Sequence, residues 1–206
     1  MAGDRWWRGL GFDAVVLEAV RRGSRILDVG CGDGSLVDHL AANGLDALGV
    51  DPNAPDHPRL IRASVEHVRE IGRFEAICAV MALHHADLEP VLAAIACLLR
   101  PGARLLACEF AWERYDERAA AWVAAHDDAG QDSSVRAWRL EHADLHTSDA
   151  IRSALDKAFA RRDETEGPYL ACMLGKPELG DEERRLIGTG ELPALGWWFS
   201  AAAGEA

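Results

Sequence analysis

A short stretch of alternating glycines that begins with an acidic residue is the part of this sequence best suited to chemistry. Asp28-Val29-Gly30-Cys31-Gly32-Asp33-Gly34 overlaps the end of an apolar run, Arg25 to Val29, and precedes a segment with helical periodicity. Glycine permits a sharp turn and lets a ligand approach the backbone closely, and the helix that follows offers free N–H groups. The stretch therefore predicts a strand, a turn and a helix start that together bind a small polar ligand.

Two carboxylates indicate which ligand this turn would take. Asp28 would repel a pyrophosphate, but it suits a ligand that carries an ammonium group. Asp51 follows a second apolar run, and its carboxylate can accept two hydrogen bonds from a ribose diol. The dinucleotide fingerprint requires a third small residue at position 35, but the third glycine of this sequence is Gly34. We infer a nucleoside with a positively charged tail.

These residues need a sheet to bring them together. From Arg21 onwards short apolar runs alternate with helical periodicity, which is typical of βαβ units and a mainly parallel sheet. The predicted strands are 25–29, 46–50, 60–63, 74–80, 104–110 and 195–202. The predicted helices run from the glycine turn to Asn43-Gly44, from Asp87 to Arg100-Pro101-Gly102, and over 116–126, 148–159 and 181–187. The polar stretch 127–144 is predicted to form turns.

Composition narrows the classes of protein further. The 206 residues predict a single domain, and 22 basic against 34 acidic residues give a formal net charge of -12, which disfavours a nucleic-acid partner. No run is long and apolar enough for a signal peptide or a membrane span. The five cysteines lack C-x-x-C spacing and indicate reduced thiols. We expect a cytoplasmic protein without membrane association, and the sequence leaves a homodimer open.

Several ordered motifs resemble those of class I S-adenosylmethionine-dependent methyltransferases. Residues 26–34, Ile-Leu-Asp-Val-Gly-Cys-Gly-Asp-Gly, are similar to the first motif of that family, and Gly49-Val50-Asp51-Pro52 resembles its acidic second motif. The remaining matches are Ala63-Ser64-Val65-Glu66, Phe74-Glu75-Ala76-Ile77, Leu83-His84-His85 and Leu99-Arg100-Pro101-Gly102. The resemblance covers about half of the chain, from Arg21 to Phe110. Ser64, Glu75 and Ala103 depart from the residues more common in the family.

The resemblance implies an α/β fold with a doubly wound, mostly parallel, seven-stranded Rossmann-like sheet and a helical lid. It implies S-adenosylmethionine as the cofactor and S-adenosylhomocysteine as its product. We divide the single domain into an N-terminal helix or lid (1–22), a cofactor-binding core (23–112), a lid or substrate insertion (113–147) and the C-terminal part of the sheet (148–206). The cofactor-binding candidates are Asp28, Gly30, Cys31, Gly32, Gly34, Asp51, Pro52, Ser64, Val65, Ala79 and Val80.

Catalytic and substrate-binding candidates lie where parallel strands end. His84 and His85 follow the fourth predicted strand and could take a proton from an acceptor, with His85 preferred, although ordinary packing would also explain them. Substrate-binding candidates are Trp7, Glu109 and Trp112, but a lid arginine is the more probable partner for Glu109. Glu141, His142, Asp144 and His146 are better explained by a solvated loop, so no metal site is predicted.

The predicted function is methyl transfer to an O, N or C atom of a small molecule, in the biosynthesis of a specialised metabolite. Methyltransferases of base or amide nitrogens carry Pro-Pro-Tyr/Phe/Trp after the fourth strand, where this sequence has Ala79-Val80-Met81-Ala82. This difference weighs against that class of methyltransferase. One alternative is a cofactor-assisted cyclisation, decarboxylation or rearrangement without methyl transfer. Another is a non-catalytic regulatory subunit that binds the cofactor.

Overall fold

The computed structural model describes residues 6–68 and 70–202, without the side chains of Trp6 and Arg161. Its centre is one seven-stranded sheet. The strands are β1 (Arg25–Val29), β2 (Asp46–Asp51), β3 (Leu60–Arg62), β4 (Phe74–Val80), β5 (Leu99–Phe110), β6 (Arg161–Gly167) and β7 (Gly196–Ala202). Residues 1–5 of the predicted N-terminal helix or lid lie outside the described residues.

The strand order is β3-β2-β1-β4-β5-β7-β6; β7 pairs antiparallel with β5 and β6, and the other pairs are parallel. In the centre Asp28 of β1 lies beside Gly49 of β2 on one side and Cys78 of β4 on the other. The carboxyl ends of β1, β2, β4 and β5 therefore meet at one edge, where ligands bind in open parallel sheets. The predicted doubly wound fold is confirmed.

Helices cover both faces of the sheet and one of its ends. They are α1 (Trp6–Gly9), α2 (Phe12–Ala19), α3 (Ser35–Ala42), α4 (Leu88–Leu98), α5 (Glu117–His126), α6 (Val135–Glu141), α7 (Ser148–Ala158), α8 (Leu170–Met173) and α9 (Gly180–Gly188). Short 3-10 turns occupy Val65–His67, Leu83–His85, Trp112–Arg114 and Pro177–Leu179. Within the described residues, none of these helices has the length and apolar character needed to cross a bilayer.

Alternation along the strands divides the core into layers. Leu27 and Ile77 face a cluster that includes α4 and α7, whereas Ile26 and Cys78 face α2 and α3. A third cluster lies beyond the carboxyl end of β5 and is rich in aromatic side chains. We call this third group the aromatic cluster; it includes Phe110, Tyr115, Trp122, Trp138 and Tyr169. It packs under α5, α6 and α8, beside the predicted site.

The structure departs from the predicted elements in four places. β5 begins at Leu99, so Arg100-Pro101-Gly102 lies in an irregular part of this strand and not in the end of a helix. The stretch 127–144 contains α6, whose N-cap Ser134 accepts a hydrogen bond from Ala137 N. Neither β6 nor α8 was predicted, because β6 is a strongly charged edge strand and α8 is only one turn long.

Candidate functional site

A cleft of about 430 Å³ opens at the carboxyl edge of β1, β2 and β4. Six predicted site residues line it: Gly30, Asp51, Pro52, Ser64, Val65 and His85. The cleft therefore connects the glycine turn and the acidic end of β2 with the loop after β4. Residues from the cofactor set and from the catalytic set face the same space.

The glycine turn is shaped for close approach at Gly30 and for open space at Gly32. Gly30 has a φ of +74°, and a Cβ placed on it would come within 2.5 Å of the Cβ of Ala82. Gly32 has a φ of +54°, and a Cβ there would meet nothing within 4 Å. Side chains rarely adopt such φ values, so both positions favour glycine. Packing explains Gly30, whereas Gly32 borders free volume that a ligand could occupy.

The two predicted carboxylates flank this turn. Half-buried Asp51 accepts hydrogen bonds from Gly32 N (3.2 Å) and Asn53 N (2.6 Å), and it lines the cleft. Asp28 is buried behind the turn, and burial together with the neighbouring Asp51 raises the pKa of its carboxyl group to about 8. At neutral pH Asp28 is therefore mostly protonated, and a cation placed beside it would favour its ionised form.

The two histidines after β4 have different surroundings. His85 is exposed at the cleft, and its pKa is lowered, first by burial and then by His84 and His142, against the opposing effect of Glu109. His84 is buried, and its Nδ1 lies 2.6 Å from Oε2 of Glu109. A neutral imidazole at the cleft can accept a proton, so His85 is the better placed of the two as a base.

Glu109, near the end of β5, holds the loop that carries both histidines. Its Oε1 accepts hydrogen bonds from Ala82 N (2.9 Å) and Leu83 N (2.6 Å), and its Oε2 is paired with His84. Glu109 is fully buried and does not line the cleft. The expectation that a lid arginine would pair with Glu109 is wrong, because backbone N–H groups and an imidazole occupy both of its oxygens.

The site suits the predicted cofactor on the evidence of these geometries. Free volume above Gly32, an acceptor carboxylate at Asp51 and a buried acid at Asp28 match a nucleoside with a cationic tail. The sequence profile of a family described as a methyltransferase domain matches residues 8–158, more than half of the chain. The chain belongs to this methyltransferase family.

Proteins similar in sequence to this domain include other methyltransferases. Over 110 residues this chain is 34% identical to an uncharacterized methyltransferase of Mycobacterium bovis. That match covers 48% of this chain and 43% of that protein. Over 131 residues this chain is 31% identical to a ubiquinone biosynthesis O-methyltransferase of Xanthomonas axonopodis pv. citri. That match covers 50% of this chain and 54% of that protein. The chain thus matches about half the length of these two relatives.

Solved structures of other methyltransferases share the fold. Phosphoethanolamine N-methyltransferase 2 of Haemonchus contortus, in complex with S-adenosyl-L-methionine, has a TM-score of 0.63 at 16% identity and covers 95% of this chain and 53% of that chain. The 1,6-didemethyltoxoflavin-N1-methyltransferase of Burkholderia thailandensis, with bound S-adenosylhomocysteine, has a TM-score of 0.61 at 17% identity and covers 98% of this chain and 80% of that chain. The predicted cofactor and its product are thus the ligands in these two structures.

The remaining predicted cofactor residues of the methyltransferase domain do not line the cleft. Gly32 and Gly34 belong to the turn beside it, whereas Ala79 is fully buried in the sheet and Val80 packs on the side of α3. The side chain of Cys31 is buried against Gly49, and burial raises the pKa of its thiol well above the usual range. A protonated, buried thiol is a packing group and a poor nucleophile.

The two predicted substrate-binding tryptophans lie apart from each other. Trp112 packs against the aromatic cluster and donates from Nε1 to the carbonyl of His146 (3.2 Å). Trp7 is buried next to α3, donates to Ser35 Oγ (3.1 Å) and packs against the His39 ring. The two rings therefore pack in different parts of the fold, and neither lines the cleft.

The helices beyond β5 are anchored by a third buried carboxyl group. Glu183 of α9 is fully buried and accepts hydrogen bonds from Tyr169 N, Leu170 N and Ala171 N, at the start of α8. These are the N–H groups that a helix start leaves unpaired.

In the part of the chain that the structure describes, no group of three potential metal ligands is found, and His142 stacks on Trp138.

Several residues that line the cleft were not predicted as site residues from the sequence. They include Asn53, Glu66, Met81, Ala82 and Asp87. Met81 has a φ of +51°, an uncommon conformation for a side chain of this size, and its N donates to the carbonyl of Cys108 (2.8 Å). Its position directly after β4, at the carboxyl edge, is the signal by which sequence analysis could have found it.

Proposed function

We propose that this chain transfers the methyl group of S-adenosylmethionine to an oxygen, nitrogen or carbon atom of a small molecule, in the biosynthesis of a specialised metabolite. The observation that carries the proposal is the single cleft that joins the Gly30–Asp51 end to His85. When bound, the cofactor supplies an electrophilic methyl group. In-line transfer requires the acceptor atom to be held about 3–3.5 Å from that group.

Each part of the cleft has a role in this proposal. Asp51 accepts hydrogen bonds from ribose hydroxyls, and Ser64 and Val65 border the adenine. Asp28 stabilises the ammonium group from behind the turn. His85, as the neutral imidazole, takes the proton of the acceptor atom. Glu109 acts through the loop 81–85, which it fixes from below.

The class of substrate follows from charge and from the relatives. A formal net charge of -12 disfavours a polyanionic partner. Two of the similar proteins are named for methyl transfer in ubiquinone biosynthesis and to 1,6-didemethyltoxoflavin, which are small molecules. We propose residues 23–112 as the cofactor-binding core and 113–147 as the substrate insertion. The five free thiols fit the reducing compartment that we propose, the cytoplasm.

Product analysis tests the proposal directly. Purified protein is incubated with S-adenosylmethionine and a panel of small phenols, amines and carbon acids, and the products are identified by mass spectrometry. The proposal predicts equal amounts of S-adenosylhomocysteine and of a product heavier by one methylene unit. Conversion of a substrate with no consumption of S-adenosylmethionine would contradict methyl transfer and favour a rearrangement or decarboxylation.

A further inference from the structure

A second cavity, of about 460 Å³, has no role in the proposed cofactor site. Residues of α5, α6 and α8 line it. Four rings line it: Tyr115, Trp138, His142 and Tyr169. They come from three places in the chain, because Trp138 and His142 share α6 and its C-cap, so the tertiary fold and no single sequence motif builds this wall.

The rings of the second cavity are held in fixed orientations. Tyr115 and Trp138 are stacked with centroids 4.3 Å apart, and Trp138 and His142 are stacked at 4.0 Å. Tyr115 Oη donates to the carbonyl of Ser133 (2.8 Å), and Trp138 Nε1 donates to the carbonyl of Trp112 (2.8 Å). Because these two polar ends are already paired, the flat ring faces are what the wall can offer a ligand.

The charged groups that line this cavity are all acidic. Asp127, Asp132 and Glu141 line it, and no lysine or arginine does so among the described residues. Backbone N–H groups bond the Asp127 and Asp132 carboxylates and hold the pKa of each below its usual value, so both are ionised at neutral pH. Lys176, which is paired with Asp128 at 2.6 Å, lowers the pKa of Asp127 further, and Arg136 does the same for Asp132.

Phe110 and Met81 connect the cavity to the cofactor cleft. The Phe110 ring is stacked on Tyr169 (4.7 Å) and meets His142 at 5.5 Å and His84 at 5.0 Å. His84 in turn lies 4.3 Å from His85, which lines the cleft. Met81 lines the cleft and packs against the aromatic cluster. A continuous set of ring contacts therefore links Tyr169 in the lining of the second cavity to His85 in the lining of the cleft.

We propose that the second cavity is the substrate chamber and that it accepts a planar aromatic compound with a positively charged nitrogen. Ring faces attract both flat rings and cations, and the three carboxylates favour a cation over an anion of equal size. This assignment rests on the proposed function, because it takes the chamber to present an acceptor atom at the His85 end of the cleft.

Equilibrium dialysis with two probes of equal shape tests the assignment. The probes are 2-naphthylmethylamine, a cation at pH 7.5, and 2-naphthoate, an anion, each with and without saturating S-adenosylhomocysteine. We expect the cation to bind about tenfold more tightly, with S-adenosylhomocysteine leaving this binding in place. In Glu141→Gln the preference for the cation should fall by about threefold, whereas the exposed neighbour variant Asp144→Asn should retain it.

The other outcomes each overturn the assignment. Equal binding of the two probes, tighter binding of the anion, or no binding of either would exclude a cation-selective chamber. Displacement of the cation by S-adenosylhomocysteine would place the probe in the cofactor cleft instead. Binding of S-adenosylhomocysteine itself is measured in the same cells, so a failure of the proposed cofactor site is distinguishable from a failure of the chamber.

Discussion

Glu109 Oε2 and His84 Nδ1 lie 2.6 Å apart in the buried layer beneath the cleft. The same carboxyl group accepts the N–H groups of Ala82 and Leu83 through its other oxygen. One side chain from β5 thereby fixes the conformation of the loop after β4. The catalytic candidate His85 belongs to this loop, so its position depends on Glu109.

Substitutions of Glu109 should separate its hydrogen bonds to the backbone of the loop from its pairing with His84. Glu109→Ala leaves the N–H groups of Ala82 and Leu83 and the buried His84 imidazole without their partner and should lower the free energy of unfolding by about 3–5 kcal/mol. Glu109→Gln retains the oxygen that accepts from Ala82 and Leu83, so its loss should be about 1–2 kcal/mol. Urea denaturation measures both, with Asp163→Asn, at an exposed ion pair with Arg104, as the control. Equal losses for Glu109→Ala and Asp163→Asn would refute the anchoring role.

Three glycine substitutions should separate strain from ligand contact. Gly32→Ala and Gly102→Ala both place a side chain at positive φ in open space, and each should cost about 1–2 kcal/mol of stability. Only Gly32→Ala should also weaken S-adenosylhomocysteine binding, because Gly102 lies at the opposite edge of the sheet. Gly30→Ala should lose more stability, since its Cβ would clash with Ala82. Undiminished binding by Gly32→Ala would show that no ligand approaches this turn.

Asp28 should couple cofactor binding to a proton. Its pKa of about 8 in the folded protein lies above the ordinary value of 3.8, so its contribution to stability is complete below about pH 4 and is lost as the pH rises through 8. An ammonium group beside it lowers this pKa, so S-adenosylhomocysteine binding at pH 7 should release a proton. Calorimetry in buffers of different ionisation enthalpy measures that release.

Asp28→Asn is the matched variant for this coupling. The amide stays neutral, so the variant should show a flatter dependence of unfolding temperature on pH between 4 and 8. It should also bind S-adenosylhomocysteine about tenfold more weakly, without the proton release. A wild-type protein that binds with no change in protonation would mean that the ammonium group lies away from Asp28.

The titration of His85 should determine how kcat/KM falls at low pH. Burial and His84 lower the pKa of His85 below 6.5, so the neutral base predominates at pH 7 and kcat/KM should fall only as the pH drops below that pKa. His85→Gln should reduce kcat by about 10²- to 10⁴-fold and remove this fall at low pH. His67→Gln, at an exposed position, is the control. An unchanged rate in His85→Gln would mean that the acceptor needs no base from this residue.

Periodicity and turn chemistry were sufficient to predict most of the sheet. Phe74–Val80 forms a strand with the predicted bounds, because a strand buried on both faces reads as a continuous apolar run. β6 was not predicted because its sequence, Arg-Arg-Asp-Glu-Thr-Glu-Gly, carries charge on both faces of an edge strand and lacks an alternating apolar pattern. α6 was not predicted because it buries largely one side chain, Trp138, and so shows no apolar periodicity.

The cofactor half of the site was more accessible to sequence reasoning than the catalytic half. Gly30 and Asp51 belong to local motifs whose geometry follows from strand, turn and helix order. The pairing of Glu109 with His84 depends on the register of β4 against β5, in which Val80 lies beside Cys108. No local pattern encodes that register, so the partner of Glu109 could not be predicted from its neighbours in the chain.

Calorimetric titration with S-adenosylhomocysteine is the most direct test of the cofactor assignment. The wild-type protein should bind one molecule per chain, and Asp51→Ala should bind about 1–3 kcal/mol more weakly because the ribose hydroxyls lose their acceptor. Asp46→Ala, at the other end of the same strand, should bind like the wild type. Absence of heat with the wild-type protein, or equal affinity in Asp51→Ala, would contradict the account.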